Sequence, residues 1–260
     1  MKIAMWSGPR NISTAMMRAW ENRPDCEVVD EPLYAAWLAH SGADHPGRED
    51  VIAAGETDWR QVVTKLTGSN PGGQPLWYQK HMCHHLIEGM DWNWIAGLTN
   101  IFLVRRPEAV VASYVRARGT EQISADDIGL PLQVELFDWL SRRQAPPPVI
   151  DSDQFLTDPE GHLRALCSHL GIDFHPGMLR WPAGARPSDG VWAPHWYASV
   201  QASTGFEPPR SKPVALSAQT AAVADACQPL YQKLMAFRLQ PHPKQAGWPH
   251  SVDSASIRNN

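Results

Sequence analysis

Apolar and polar positions alternate between two rhythms along roughly the first 175 residues. Short apolar or β-branched runs predict strands at residues 2–6, 27–30, 76–80, 100–105 and 149–151. The run Ile101, Phe102, Leu103, Val104 is unbroken, the mark of a strand buried on both faces. Helical spacing fills the intervals. Ile12, Met16 and Trp20 fall on one stripe of a helix over 13–22. Further helices are predicted over 32–39, 48–55, 59–66, 132–143 and 158–170, the last closed by Gly171 at its C′ position. Pro107 opens another where its missing N–H matters least, and Val110, Val111, Tyr114 and Val115 form its buried face. Residues 68–75 are turn-rich and read as a loop. Strands alternating with helices imply an α/β fold: a three-layer parallel sheet with helices on both faces.

The pattern changes after residue 175. Residues 176–213 are rich in Pro, Gly and Trp without a clear period, which predicts a long ordered loop or lid. Leu216, Thr220, Val223, Cys227, Leu230, Leu234 and Phe237 then step by four and three, giving one apolar helical stripe kinked at Pro229. That helix is expected to pack back onto the domain. The organisation expected is one α/β domain over 1–240 with a lid and a C-terminal helix, then a poorly ordered tail over 241–260.

Composition narrows the function. Hydrophobic residues are 43% and charged residues 19% of 260, so the chain is globular. A net charge of -4 argues against a nucleic-acid binder, and any nucleotide site must be a local basic cluster. No run of eighteen apolar residues predicts a membrane span, and the apolar start is too short for a signal peptide. Four scattered cysteines without a CxxC pair fit a reducing cytoplasm. Twelve tryptophans suit core and lid packing, or a flat aromatic ligand.

The first strand runs into Ser7, Gly8, Pro9, Arg10, Asn11, Ile12, Ser13 and Thr14, and then into a helix. A loop feeding a helix N-terminus offers unpaired N–H groups and a positive dipole end, both favouring an anion. Arg10 adds a fork of donors, and Ser13 and Thr14 add hydroxyls. Taken alone, the segment also suits an ordinary strand–helix turn capped by Ser13. It is no Walker A loop, since Asn11 and Ile12 stand where that motif has Gly and Lys. A second segment, residues 102–114, ends a strand in Arg105 and Arg106 and starts a helix. Arg105 sits at the carboxyl edge of the sheet, where open α/β folds bind ligands. Ser113 follows eight residues later, about two turns into the helix, so the pair can grip one phosphate from two sides. Pairing of Arg105 with a surface carboxylate is the plainer alternative.

Together these segments resemble the PAPS-dependent sulfotransferase superfamily, whose fold is related to that of P-loop nucleotide hydrolases. Pro9, Arg10, Asn11, Ile12, Ser13 and Thr14 align with its Pro-Lys/Arg-Ser-Gly-Thr-Thr loop, which holds the 5′-phosphosulfate. Arg105 and Ser113 match its 3′-phosphate pair. Asp158, Pro159 and Glu160, leading to Leu170 and Gly171, and Asp189 to Trp192 are similar to further family segments. The resemblance spans about residues 1–200. It implies sulfuryl transfer from PAPS, with PAP as product, to a hydroxyl or amine of a small-molecule acceptor. Ile12 departs from the family by replacing a glycine. Arg10 replaces the lysine of many members, and its guanidinium can stabilise charge but cannot give up its proton.

Such a site must neutralise the leaving phosphate, align the acceptor and remove its proton. The resemblance implies that Arg10 and Thr14 serve the leaving group, and that Lys80, at the end of the third strand, stabilises charge. Glu31, after the second strand, resembles a carboxylate that some bacterial family members use as base and is the first candidate, and His81 is the second, with His84 and His85 on the same face if a helix starts there; a hydrogen-bonded structural role is the alternative for each. The run of residues 81–85 has histidines at i and i+4 but lacks the metalloprotease Glu, so no metal site is expected. In the lid, Trp192 is a candidate to stack on the nucleotide base and His195 or Tyr197 to face the acceptor, although lid packing explains them equally. Two other functions compete. One is a nucleotide-dependent kinase or phosphotransferase, with Asp30 as a metal-binding carboxylate. The other is a non-catalytic nucleotide-binding protein of the same fold.

Overall fold

The computed structural model describes residues 1–209 and 215–242. Strands β1 (Lys2–Ser7), β2 (Cys26–Asp30), β3 (Leu76–Met82), β4 (Thr99–Val104) and β5 (Val149–Asp151) form one sheet in the order β2-β3-β1-β4-β5. Every pairing is parallel. All five therefore deliver their carboxyl ends to one edge, with β1 at the centre.

Side-chain alternation builds a core on each face. Ile3, Met5, Tyr78, Ile101, Leu103 and Ile150 pack on one face. Ala4, Trp6, Trp77, Phe102, Val104 and Val149 pack on the other. The helices in chain order are α1 (Ser13–Glu21), α2 (Tyr34–Ser41), α3 (Arg48–Ala54), α4 (Trp59–Thr67) and α5 (Asn93–Ala96), then α6 (Pro107–Arg118) and α7 (Leu130–Ser141). They continue with α8 (Ser152–Phe155), α9 (Pro159–His169), α10 (Ala193–Trp196), α11 (Ala198–Gln201) and α12 (Ala218–Met235). Met16, Met17 and Trp20 of α1 and Leu163 and Leu166 of α9 cover the first face. Val111 of α6, Phe137 of α7 and Leu234 of α12 cover the second. The three-layer arrangement expected from the sequence is thus present.

Helix α12 packs back onto the domain, and Tyr231 fixes it by donating 2.7 Å to Asp151 at the end of β5. Its buried stripe is Thr220, Ala224, Cys227, Tyr231 and Leu234, so Ala224 and Tyr231 take places that the sequence pattern gives to Val223 and Leu230. Gly171 closes α9 with φ +67°, as expected of a C′ glycine. The tail falls outside the described residues from 243 onward, as do lid positions 210–214.

The described part of the lid is anchored. Arg18, buried in α1, donates twice to Asp189, at 2.6 and 2.8 Å. Asn22 donates to the carbonyls of Gly177 and Arg180, both at 2.7 Å. Among the described residues no helix is long and apolar enough to cross a membrane.

Gly8, the first loop residue after β1, lies against the backbone of Ile128. A Cβ there would meet the Ile128 carbonyl oxygen at 2.4 Å. Gly8→Ala is therefore expected to destabilise the fold by about 1–3 kcal/mol, read as a lowered melting temperature. An unchanged melting temperature would contradict this packing.

Candidate active site

A cavity of about 1290 Å3 opens at the carboxyl edge of the sheet. Its floor is the turn between β1 and α1. Pro9, Arg10, Asn11, Ile12, Ser13 and Thr14 all line it. Asn11 pins this turn to β4 by donating 3.1 Å to the Leu103 carbonyl. Ser13 is the first residue of α1 and not its cap, because Ile12 occupies the N-cap position without a side-chain bond. The first-turn amides of α1 have no intrahelical acceptor, an arrangement that suits an anion at its N-terminus.

Arg10 is one of two non-glycine residues with positive φ among the described residues, at +56°. Such conformations cost about 1–3 kcal/mol and concentrate at ligand sites. The turn directs the Arg10 side chain across the cavity, where Nε donates 3.1 Å to Ser113 Oγ on α6. Arg105, just beyond β4, donates 3.0 Å from Nη1 to the Arg10 carbonyl. Burial, then the charges of Arg105 and Arg116, lower the Arg10 pKa. Arg10 forms no ion pair among the described residues, so this end of the cavity carries uncompensated positive charge. Arg105 does pair with a carboxylate, since Asp153 Oδ1 lies 3.6 Å from its Nε, but that contact is too long for a hydrogen bond, and Asp153 Oδ2 takes its bond from Arg106 at 2.8 Å. Arg105 Nε is buried without a hydrogen-bond acceptor.

The opposite wall is built from the ends of β2 and β3. Register pairs Asp30 with Lys80, which brings the two side chains together. Lys80 is 1% exposed and donates to Asp30 Oδ1 at 2.8 Å, to Glu31 Oε1 at 2.5 Å and to the Tyr197 hydroxyl at 2.7 Å. Burial opposes its charge, but Asp30 and Glu31 outweigh that and hold its pKa well above the usual lysine value. Burial also raises Glu31, which the Lys80 charge partly offsets. Glu31 is the second positive-φ residue, at +40°, although it precedes Pro32. A pre-proline residue normally takes an extended conformation, so this strain fixes the carboxylate at the cavity edge. Glu31 Oε2 accepts no hydrogen bond among the described residues and lies 4.0 Å from His85 Nδ1.

A sequence profile of the sulfotransferase domain matches residues 1–238. The chain belongs to the sulfotransferase family. Two relatives from Arabidopsis thaliana, branched-chain-amino-acid aminotransferase-like proteins 2 and 1, are 34% and 36% identical over 232 residues. That stretch is 89% of this chain and 41% of each relative, so the chain spans about two fifths of their length. Among solved structures, a sulfotransferase domain from a Synechococcus olefin synthase aligns with a TM-score of 0.53 and 18% identity, covering 87% of this chain and 94% of that one. A sulfotransferase from Alicyclobacillus acidocaldarius aligns with a TM-score of 0.52 and 12% identity, covering 90% and 94%. These two likenesses establish the fold.

Within this sulfotransferase fold, the loop residues, Arg105, Ser113, Glu31 and Lys80 all line one cavity. His81 does not. Strand β3 continues to Met82, so His81 points away from Lys80 and Met82, onto the far face of the sheet. There it stacks on Trp6 at 4.3 Å and bonds Gln79 at 3.2 Å. His81 is thereby removed as a base. Trp192 is also absent from the cavity lining. Its indole donates 3.0 Å to Tyr197 and its ring meets Tyr34 edge-on. His195 is exposed and lies against Gly47. Tyr197 does line the cavity, bonded into the Lys80 cluster. All three protons of the Lys80 ammonium are engaged, by Asp30, Glu31 and Tyr197.

Tyr34 and His45, which the sequence pattern did not single out, also line the cavity. Tyr34 bonds His45 at 2.9 Å, and His85 stacks between Tyr34 and Trp37 at 4.5 and 4.9 Å. His84 and His85 line the same wall with both Nδ1 atoms unpaired. Burial lowers His45 to about 4 and His84 to about 3, and takes His85 well below its usual value. These imidazoles are neutral at pH 7.

Burial also lowers His81 to about 3. A histidine kept neutral when folded binds a proton more readily when unfolded. Stability is therefore full above the unfolded value near 6.5 and falls as pH drops towards 3. His81 alone sets a slope of about 1.4 kcal/mol per pH unit in that window. Melting temperatures are expected to fall steadily from pH 6.5 to 4, and a flat profile would contradict the burial of these rings.

Proposed function

We propose that this chain transfers a sulfuryl group from PAPS to a hydroxyl or amine of a small-molecule acceptor. The observation that carries the reading is the shared cavity: a helix N-terminus with an unneutralised arginine at one end, and a carboxylate held by a buried lysine at the other. Arg10, Ser13, Thr14 and the first amides of α1 take the 5′-phosphate. Arg105 and Ser113 take the 3′-phosphate, and Arg105 Nε, which has no hydrogen-bond acceptor, suits that role. Ile12 fits the loop: its φ is -85°, open to any residue, and its partly buried side chain packs against the core.

In the reaction the acceptor oxygen or nitrogen attacks sulfur in line as Glu31 takes its proton. The bond from sulfur to the phosphate oxygen breaks, and its electron pair leaves with PAP. Arg10 meets the charge that develops on the leaving phosphate. Asp30 is poorly suited to the metal role required of a kinase. Lys80 engages Oδ1, and Tyr197 donates 2.6 Å to Oδ2. Four free, buried cysteines suit a reducing compartment such as the cytoplasm.

The test combines transfer of label from PAPS to an acceptor panel with thermal stabilisation. PAP is expected to raise the melting temperature more than ADP, with or without magnesium. A larger rise with Mg-ATP would support phosphotransfer instead. Stabilisation by none of these nucleotides would overturn nucleotide binding at this site.

A further inference from the structure

We propose that Tyr197 is a positioning residue for the transfer step: delivered by the lid, it locks Lys80 and Asp30 so that Lys80 holds Glu31 towards the acceptor. The proposal rests on the reading of Glu31 as the proton acceptor.

The phenol oxygen of Tyr197 is saturated. It accepts from Lys80 Nζ at 2.7 Å and from Trp192 Nε1 at 3.0 Å, and it donates to Asp30 Oδ2 at 2.6 Å. The residue is 4% exposed, and the Lys80 ammonium lies 5.0 Å from its ring centre. Asp30, Glu31 and Lys80 come from the ends of neighbouring strands, whereas Tyr197 comes from the lid. The same lid segment is clamped to α1 through Asp189 and Arg18. Seating the lid therefore also completes the cluster.

The groups facing it are Asp30 and Glu31 from the end of β2, Lys80 from β3, and His85, near Glu31, from the turn after β3. Tyr34 of α2 borders them through Trp192 and His85. Without the hydroxyl, Asp30 Oδ2 loses its strongest donor and the third Lys80 proton loses its acceptor. Lys80 is then free to turn from Glu31. Glu31 Oε1 lies 3.5 Å from the same hydroxyl, and once Lys80 turns away the carboxylate loses the charge that opposes the effect of burial.

The test is the pH dependence of PAPS-dependent transfer by the full chain carrying Tyr197→Phe, which keeps the ring. The expected result is a kcat lower by about tenfold, a fraction of what a general base contributes, with the KM for PAPS unchanged. The acidic limb of the profile is expected to move to higher pH. Glu31→Gln is measured beside it. If that variant keeps wild-type kcat, the reading of Glu31 as base fails. If it loses activity while Tyr197→Phe keeps the wild-type kcat and limb, the Tyr197 proposal alone is overturned. Stabilisation by PAP checks folding. If Tyr197→Phe does not fold, Trp192→Phe decides: a limb moved in the same direction supports the proposal, and a wild-type limb overturns it.

Discussion

Arg10→Ala is expected to lower turnover by about 10²–10³-fold, the usual cost of removing one preorganised donor from developing charge. Its effect on PAP affinity should be smaller. Arg10 reaches Ser113 from a strained backbone position and has no carboxylate partner among the described residues. Its positive charge is therefore available to the leaving phosphate, whose charge is greatest as the bond to sulfur breaks. The α1 amides remain in the variant and still bind a ground-state phosphate. Single-turnover rates and PAP titrations separate the two effects. An equal loss in both would mean that Arg10 binds donor and transition state alike.

Arg105→Ala should show the opposite balance. PAP binding is expected to weaken by about 2–3 kcal/mol, tens to roughly a hundredfold, since a phosphate loses its charged partner. ADP, which has no 3′-phosphate, should lose much less. Asp153 keeps its 2.8 Å bond from Arg106 in this variant, so the fold should persist. Calorimetric titration with both nucleotides checks it. Equal losses for PAP and ADP would place Arg105 away from the 3′-phosphate.

The parts of this site legible in the sequence were those set by local pattern. Strand ends, helix starts and the spacing from Arg105 to Ser113 are short-range features, and all were brought to one sheet edge. The errors have particular causes. Strand β3 runs two residues further than the sequence pattern predicts, so His81 follows the strand's period-two alternation instead of starting a helix. That places His81 behind the sheet and leaves the following turn to present His84 and His85. Ile12, where the family has a glycine, needs no left-handed backbone, because the left-handed residue of this turn is Arg10. For Tyr197 the sequence leaves a place facing the acceptor and lid packing equally open, because its contact with Lys80 joins residues 117 apart. No periodicity encodes such a pairing; it follows from how the lid lies across the sheet edge.

The central claim is that one doubly phosphorylated adenosine bridges the β1–α1 turn and the tip of β4. A crystal structure with PAP bound tests it most directly. The 5′-phosphate is expected on Arg10 and the first amides of α1, and the 3′-phosphate on Arg105 and Ser113, with Glu31 facing the open end of the cavity. PAP bound with either phosphate away from its assigned partners, or outside this cavity, would contradict it.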